Sequence, residues 1–476
     1  MTKKKLLLLS LVLLLIPMLA VGCTTGDGAE DVDTAEEHDD GEEHDMEDMD
    51  DEEHDMEDMD DEDMGVDPSG QTVAFWHVWG SGDPADAIVA LVADFNATNE
   101  WGITVEAFAQ GNYTDTENAF NAAIQSGDLP STVVGYTSSL ANWHSVDVLV
   151  DLNQFVNDPH YGISEAELAD HYAGPLAGAL TPDGARTGWA LSQSANVLWY
   201  NSTWGADLGF DGPPTTSEEF KAQACAASQA NAADDDPDND GTGGLVLYTG
   251  TENPFSWVKA FGGTITNEAG DGYDFTNDTV LQAMLFMKDL QDSGCTLVTE
   301  SYPNPEFATR KALFVTSSTA GLPYQIAAFE DAGNTDSWEF LAFLGPDGGQ
   351  AVDAYIQYIS IVKTTPEQEL ATWLFLRWLT SPETQAEWIH ASDYFPTQNA
   401  TVPFLTDYVA ENPIWSTGLA LTEFGYVEPG LPSWFSVRRA FRDAVDAILA
   451  AETEEEVIAI LAELQTTAEE LVAEMD

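Results

Sequence analysis

Positive charge is what this chain has least of: 84 Asp and Glu stand against 14 Lys and Arg in 476 residues. Of the acids, 25 lie between Cys23 and Pro68, a stretch with no Lys or Arg, and three of the bases are Lys3 to Lys5, so the remainder carries 59 acids and 11 bases. A surface of that sign repels nucleic acid and anionic substrates, which argues against both as partners. It suits a saline habitat, where counterions screen the self-repulsion. Cysteine is nearly absent, with Cys23, Cys225 and Cys295 the only three, and none is placed for catalysis. Apolar runs of eighteen residues are missing beyond the N-terminus, so the mature chain is expected to be soluble apart from any anchor. A nucleophile elbow, a zinc-binding H-E-x-x-H and a phosphate loop are missing as well, which removes the commonest hydrolase and nucleotide-binding signatures.

What is present begins with a leader. Lys3 to Lys5 form a positive region, Leu6 to Leu19 an apolar one, and Ala20-Val21-Gly22 closes it with small residues, the layout of a secretory signal over residues 1–22. Cys23 follows directly, and the junction resembles the lipobox of bacterial lipoproteins, with Ala20 where that pattern usually has Leu; the resemblance implies cleavage before Cys23 and its lipidation. Residues 23–69 are low in complexity, with EEHDMEDMDD in tandem at Glu42–Asp51 and Glu52–Asp61. Lacking aromatics, this segment cannot bury a core, and like charges keep it extended as a tether. His38, His44 and His54 among carboxylates and methionines leave a metal-collecting arm as the alternative. An extracytoplasmic compartment permits oxidation, so Cys225 and Cys295 are expected to form one disulfide.

From Gln71 the composition turns globular, and its length calls for more than one lobe. TVAFWHVW, ITVEAFA (Ile103–Ala109) and TVVGY (Thr132–Tyr136) read as strands, and the segments after the first two, Ala85–Phe95 and Thr114–Ser126, as helices. That alternation means a parallel, helix-covered α/β sheet, whose ligands sit beyond the carboxyl ends of the strands. The loops to watch are His77-Val78-Trp79-Gly80, Gly111-Asn112-Tyr113 and Tyr136-Thr137-Ser138. ALSQSANVLWYN (Ala190–Asn201) followed by a capping box at Thr216–Glu219 reads as a strand leaving one lobe and a helix opening another. Asp236, Asp238, Asp240 and Gly241 match the start of a calcium loop, but Leu247 stands where the bidentate Glu belongs. An acidic surface turn is the other reading, and no cofactor is expected beyond that calcium. Gly321 to Tyr324 reads as a loop, Tyr355–Val362 as a strand, Pro366–Leu379 as a helix, and Val437, Ala440, Phe441, Ala444, Val445 and Ile448 as one face of a late helix.

VAFWH, ADFN, GDLPSTVV, VLWYN with PPTTSEEF, FGG with DFTND, and PEQELATWLFLRWLTSPETQAEWI with YFPTQ, in this order, resemble the family 1 extracellular solute-binding proteins, the sugar-binding class that includes the maltose-binding type. The resemblance runs from about residue 70 to the end. It implies a two-lobed, periplasmic-binding-protein-like α/β fold of type II, each lobe a helix-flanked, mostly parallel sheet, with a hinge between. By that pattern lobe 1 is 70–190 with 319–355, and lobe 2 is 191–318 with 356–476. Flat apolar faces with polar edges suit sugar rings, and the aromatic candidates at loops or lobe edges are Trp79, Tyr113, Tyr136, Trp257, Tyr324 and Trp434. SWFSVRRA is similar to the segment that supplies a tryptophan in the maltose-binding type, which implicates Trp434 and, beside it, Arg438. Asp83, Ser138 and Asn196 are the expected polar readers. Ser138-Ser139 and Ser194 replace acids of the maltose pattern, which turns the expectation away from maltose itself. The reading is a monomeric, lipid-anchored protein that captures a sugar or oligosaccharide and delivers it to an ABC permease, with no covalent chemistry. Its competitors are a secreted carbohydrate-active enzyme, which needs two carboxylates across a cleft, and a metal-uptake binder using the acidic arm.

Overall fold

The computed structural model describes residues 65–182, 184–248, 254–299, 301–474. The leader, Cys23 and the His-containing repeat lie outside the described residues. Among the described residues eleven strands make one sheet: β1 (Thr72–His77), β2 (Thr104–Ala109), β3 (Thr132–Gly135), β4 (Trp189–Tyr200), β5 (Gly243–Tyr248), β6 (Thr296–Thr299), β7 (Ala312–Ser318), β8 (Glu339–Leu341), β9 (Phe343–Leu344), β10 (Gln350–Ile361) and β11 (Gly425–Tyr426). The main order is β2-β1-β3-β10-β4-β7-β5-β6. β1 pairs in parallel with β2 and β3, and β5 in parallel with β6 and β7. Between these two parallel half-sheets, β10 runs antiparallel to β3 and β4, and β4 antiparallel to β7.

β4 and β10 tie the halves together because each has 12 residues, about 40 Å of extended chain at roughly 3.3 Å per residue. β4 opens on Trp189 opposite Ile359, near where β10 pairs with β3, and ends with Asn196–Tyr200 on β7. All of β4 is buried, its polar members included. Two of those members are satisfied by distant partners: Ser192 Oγ donates to Gln357 Oε1 at 3.0 Å, and Gln193 Nε2 to the Pro396 carbonyl at 2.8 Å. Side chains alternate across a strand, so Trp199 joins the apolar cluster of Phe307, Trp338 and Phe340, while Leu198 and Tyr200 join that of Phe220, Trp257 and Trp434. β8 pairs with Leu198–Tyr200, so this part of 319–355 lies alongside the half of β4 that carries β7.

Three local expectations need correcting. Gly321 to Tyr324 is not a loop but leads into the helix Leu322–Ala332, with Pro323 in its first turn where a missing N–H costs nothing. Phe329 of that helix packs on Phe307 at 5.6 Å. Asp236, Asp238 and Asp240 do not form a calcium loop: Asp236 accepts from the Asp238 N–H, Asp234 accepts from the Asp236 N–H and Asn239, and Leu247 is buried in β5. Among the described residues no three His, Cys, Asp or Glu side chains converge to hold a metal. The segment is a run of Asx turns, the acidic surface turn of the other reading. Cys225, on the helix Ser217–Ala233, and Cys295, just before β6, are joined with Cα atoms 4.6 Å apart. Third, the aromatic candidates Trp257 and Trp434 are fully buried core residues rather than cleft walls.

Candidate ligand-binding cleft

A cavity of about 350 Å³ opens where β4, β7 and β10 cross from one half-sheet to the other. One wall comes from the ends of the first half-sheet. β3 stops at Gly135, where an added Cβ would lie 2.9 Å from both Leu140 and Trp143, so the strand can press directly onto the helix Thr137–Ser145. Tyr136 follows in extended conformation and is aimed into the cavity beside Thr137. Tyr113 stands behind it. The Asn112–Asp115 capping box starts the helix Tyr113–Ser126 and sets the Tyr113 ring on Tyr136, with centroids 4.0 Å apart and planes at 25°.

The floor is the crossover itself. Asn196 is opposite Asp353 on β10 and Ser318 on β7. It is 1% exposed, lines the cavity, and its Nδ2 has no partner among the described residues. Tyr355 of β10 lines the same space, 6.2 Å from Tyr136. Burial, foremost, raises the phenols of Tyr113, Tyr136 and Tyr355, so all three stay neutral.

The far wall is the helix Trp434–Ala450. Its apolar stripe, Trp434, Val437, Phe441, Val445 and Ile448, is buried in the second half, which turns Phe435, Arg438, Arg439 and Arg442 to the cavity at i, i+3, i+4 and i+7. Arg438 Nη1 donates to both carboxylate oxygens of Glu428, at 3.2 and 3.4 Å, and Glu428 chiefly holds the guanidinium more firmly protonated than usual. Arg439 lies over the Phe435 ring, 4.1 Å from its centroid. Glu117, whose carboxylate accepts from Ser139, is pushed up mainly by burial and drawn back by Ser139, Arg438 and Arg439.

Of the residues expected from sequence, Tyr136, Asn196 and Arg438 line the cavity, and Tyr113 backs Tyr136. Ser138 is buried one residue beyond Thr137. Asp83 is exposed in the first turn of the helix Gly82–Thr98, and Tyr324 is 72% exposed; neither lines the cavity. Trp79 is covered by its edge-to-face contact with Trp388 at 4.6 Å. Trp257 packs on Phe343 and Phe220, and Trp434 between Phe255 and Tyr273, so neither can stack on a ligand. The neighbour of Trp434, Phe435, lines the cavity. Tyr355, Phe435, Arg439 and Arg442 were missed, although the helical phase of the Val437–Ile448 stripe already turns 435, 438, 439 and 442 to the opposite face.

The family model of the bacterial extracellular solute-binding proteins matches residues 90–416. No curated protein matches the chain in sequence. Among solved structures, the sugar-binding protein MalE from Xanthomonas citri superposes with a TM-score of 0.73 at 19% identity, over 85% of this chain and 98% of that one. The cyclic alpha-maltosyl-1,6-maltose binding protein from Arthrobacter globiformis gives 0.70 at 20% identity, over 84% and 98%. UgpB from Mycobacterium tuberculosis, in complex with glycerophosphocholine, gives 0.69 at 18% identity, over 85% and 99%. These likenesses show a two-lobed α/β binding-protein fold.

Proposed function

The chain belongs to the bacterial extracellular solute-binding protein family, ABC-transporter components that bind solutes and do not transform them, and from that premise we propose that it captures a sugar or oligosaccharide in this cleft. The observation that carries the sugar reading is the make-up of the walls. Neutral aromatic side chains from Tyr136, Tyr355 and Phe435 stand beside the unpartnered amide donor of Asn196. Faces of that kind take up the C–H side of a sugar ring, and the amide meets a hydroxyl at its rim. About 350 Å³ falls in the range of small-ligand pockets. The Xanthomonas protein is sugar-binding and the Arthrobacter one binds cyclic alpha-maltosyl-1,6-maltose, which supports the same class.

In this reading β4 and β10 are the hinge. A ligand held between Tyr136 on one side and the Trp434–Ala450 helix on the other gains both sets of contacts only when the cleft is shut, so it shifts an open–closed equilibrium. The closed form is the one a membrane permease receives, and lipidated Cys23 keeps the protein beside it. A thermal-shift screen of neutral and acidic sugars on the full mature chain tests this, because a ligand at a hundred times its Kd adds about 2.7 kcal/mol of stability. If no carbohydrate raises the Tm, the sugar reading falls. Cys23→Ala, moving the protein from the membrane to the soluble fraction, tests the anchor; unchanged membrane association refutes it.

A further inference from the structure

We infer that the solute is an oligosaccharide of three or more rings, and that a strip of tyrosines, Tyr136, Tyr113, Tyr394 and Tyr324, leads it out of the cavity to solvent. This rests on the carbohydrate reading above and narrows it. The cavity, at about 350 Å³, is near the lower end of the roughly 300–1,000 Å³ spanned by small-ligand pockets, room for a short sugar. Aromatic surface does not stop where the cavity does. Tyr113 stacks on Tyr136, and its phenol lies against that of Tyr394, in the loop after the helix Pro382–Ser392. Tyr394 is within electrostatic reach of Tyr324, in the first turn of the helix Leu322–Ala332. Tyr113, Tyr136 and Tyr394 each keep part of their surface exposed, and Tyr324 is 72% exposed.

The strip is held in place and carries polar groups that the fold does not use. The Tyr394 ring is stacked on Trp388, 6.0 Å away at 29°. Trp388 is fixed in turn by Trp79 at 4.6 Å and by donating Nε1 to Ser192 Oγ of β4 at 3.0 Å. A ring fixed beforehand loses little freedom when a ligand settles on it. The Trp79 indole N–H and the Tyr113 hydroxyl are withdrawn from solvent with no aligned hydrogen-bond partner among the described residues, although the Tyr394 phenol lies beside both. A buried donor in that condition costs free energy until something answers it. Acceptors are close by as well: Asp393, next to Tyr394 in the chain, accepts from the Tyr408 hydroxyl, and its carboxyl is raised by burial and, more weakly, by nearby Asp83. Aromatic faces with donors and carboxylates around them match rings that show C–H on their faces and hydroxyls at their rims.

The test is isothermal titration of the mature chain with neutral ladders of one to four rings, built from α-1,4-linked glucose, β-1,4-linked glucose and β-1,4-linked xylose. In at least one ladder the tetrasaccharide is expected to bind tenfold or more tighter than the disaccharide. Tyr394→Ala and Tyr324→Ala should each cost the tetrasaccharide at least fivefold more affinity than the disaccharide, and Tyr394→Phe, which keeps the ring, should recover most of the loss. Tyr324 is exposed, so its variant should keep the wild-type circular dichroism even where Tyr394→Ala does not fold. Lys363→Gln, on a surface pair with Asp147, should keep every affinity. A disaccharide bound as tightly as the tetrasaccharide in each ladder that binds, or Tyr324→Ala holding the tetrasaccharide within twofold of wild type, overturns the inference and leaves sugar capture standing. Silence from every ladder overturns the inference; a raised Tm with another carbohydrate in the screen above then keeps the sugar reading, and no rise removes that too.

Discussion

Asn196→Ala is a perturbation whose two readouts should move in opposite senses. In the free protein the Asn196 Nδ2 is buried with no partner, and an unsatisfied buried donor costs roughly 1–3 kcal/mol. Truncation removes that cost. Because the side chain already borders a cavity, its loss opens no new void in packed core. The unliganded Tm should therefore stay level or rise. In the proposed complex the same amide donates to the solute, so the variant forfeits a bond that turns a penalty into a gain. At about 1–3 kcal/mol that is roughly a 5- to 150-fold weaker Kd. Thermal melts of the unliganded protein and titrations with the tightest solute from the sugar screen read the two effects separately. A Tm lowered by more than about 3 °C, roughly 1 kcal/mol in a domain of this class, with affinity unchanged, would show that the amide serves the fold and would refute the argument.

Three further outcomes follow from the same residues and bonds. The Cys225–Cys295 bridge spans 70 residues, for which chain entropy gives about 4 kcal/mol; Cys225→Ala with Cys295→Ala should lower the Tm by roughly 10 °C, and a shift under 2 °C contradicts it. His77 is buried, and burial pushes its pKa down to about 4. The unfolded chain protonates this group near 6.5, so about 3 kcal/mol of stability is present above pH 6.5 and lost as pH falls towards 4. The stability difference between wild type and His77→Asn should drift across that window and be flat above pH 7; a constant difference throughout rules the linkage out. Asp336 accepts from Arg310 Nε and Nη2, each at 2.7 Å, and from Asn201. Asp336→Ala leaves a half-buried guanidinium with Asp207 alone and should cost about 2–3 kcal/mol in denaturant unfolding; a loss below 0.5 kcal/mol would mean solvent replaces the pair freely.

Periodicity exposes one face of an element at a time, and that explains both what was legible and what was not. The strand read at Ala190–Asn201 is β4 to within one residue at either end, with Val197 to Tyr200 its apolar part and Ser192, Gln193 and Ser194 its polar part. They break an apolar run, yet they are buried because Gln357 and Pro396 answer them from more than 160 residues away. The Trp434–Ala450 helix was recognised by its apolar stripe, and the same stripe includes Trp434 itself. Each residue advances a helix by about 100°, so Trp434 and Phe435 diverge to core and cavity. The resemblance pointed to this segment, in which Trp434 is buried and Phe435 lines the cavity. Tyr136 was legible for a sounder reason, since the carboxyl end of a parallel strand is fixed by topology and not by side-chain phase.

Net charge describes the exterior as a whole, and a solute on its way to the cleft meets that field first. With 59 acids and 11 bases from residue 68 onward, the exterior opposes an approaching anion and leaves a neutral sugar unaffected. Salt separates the two. Screening acts over about 8 Å at physiological ionic strength and about 3 Å at 1 M, so added salt removes the long-range repulsion while contacts within the closed cleft are screened much less. The association rate of a charged sugar should therefore rise with salt, the reverse of ordinary electrostatic steering, while that of its neutral counterpart stays flat. Stopped-flow tryptophan fluorescence at ionic strengths from about 0.05 to 1 M, across which the Debye length shortens several-fold, measures both. An association rate that falls with salt would place a long-range attraction on the surface and refute the repulsion read from the net charge.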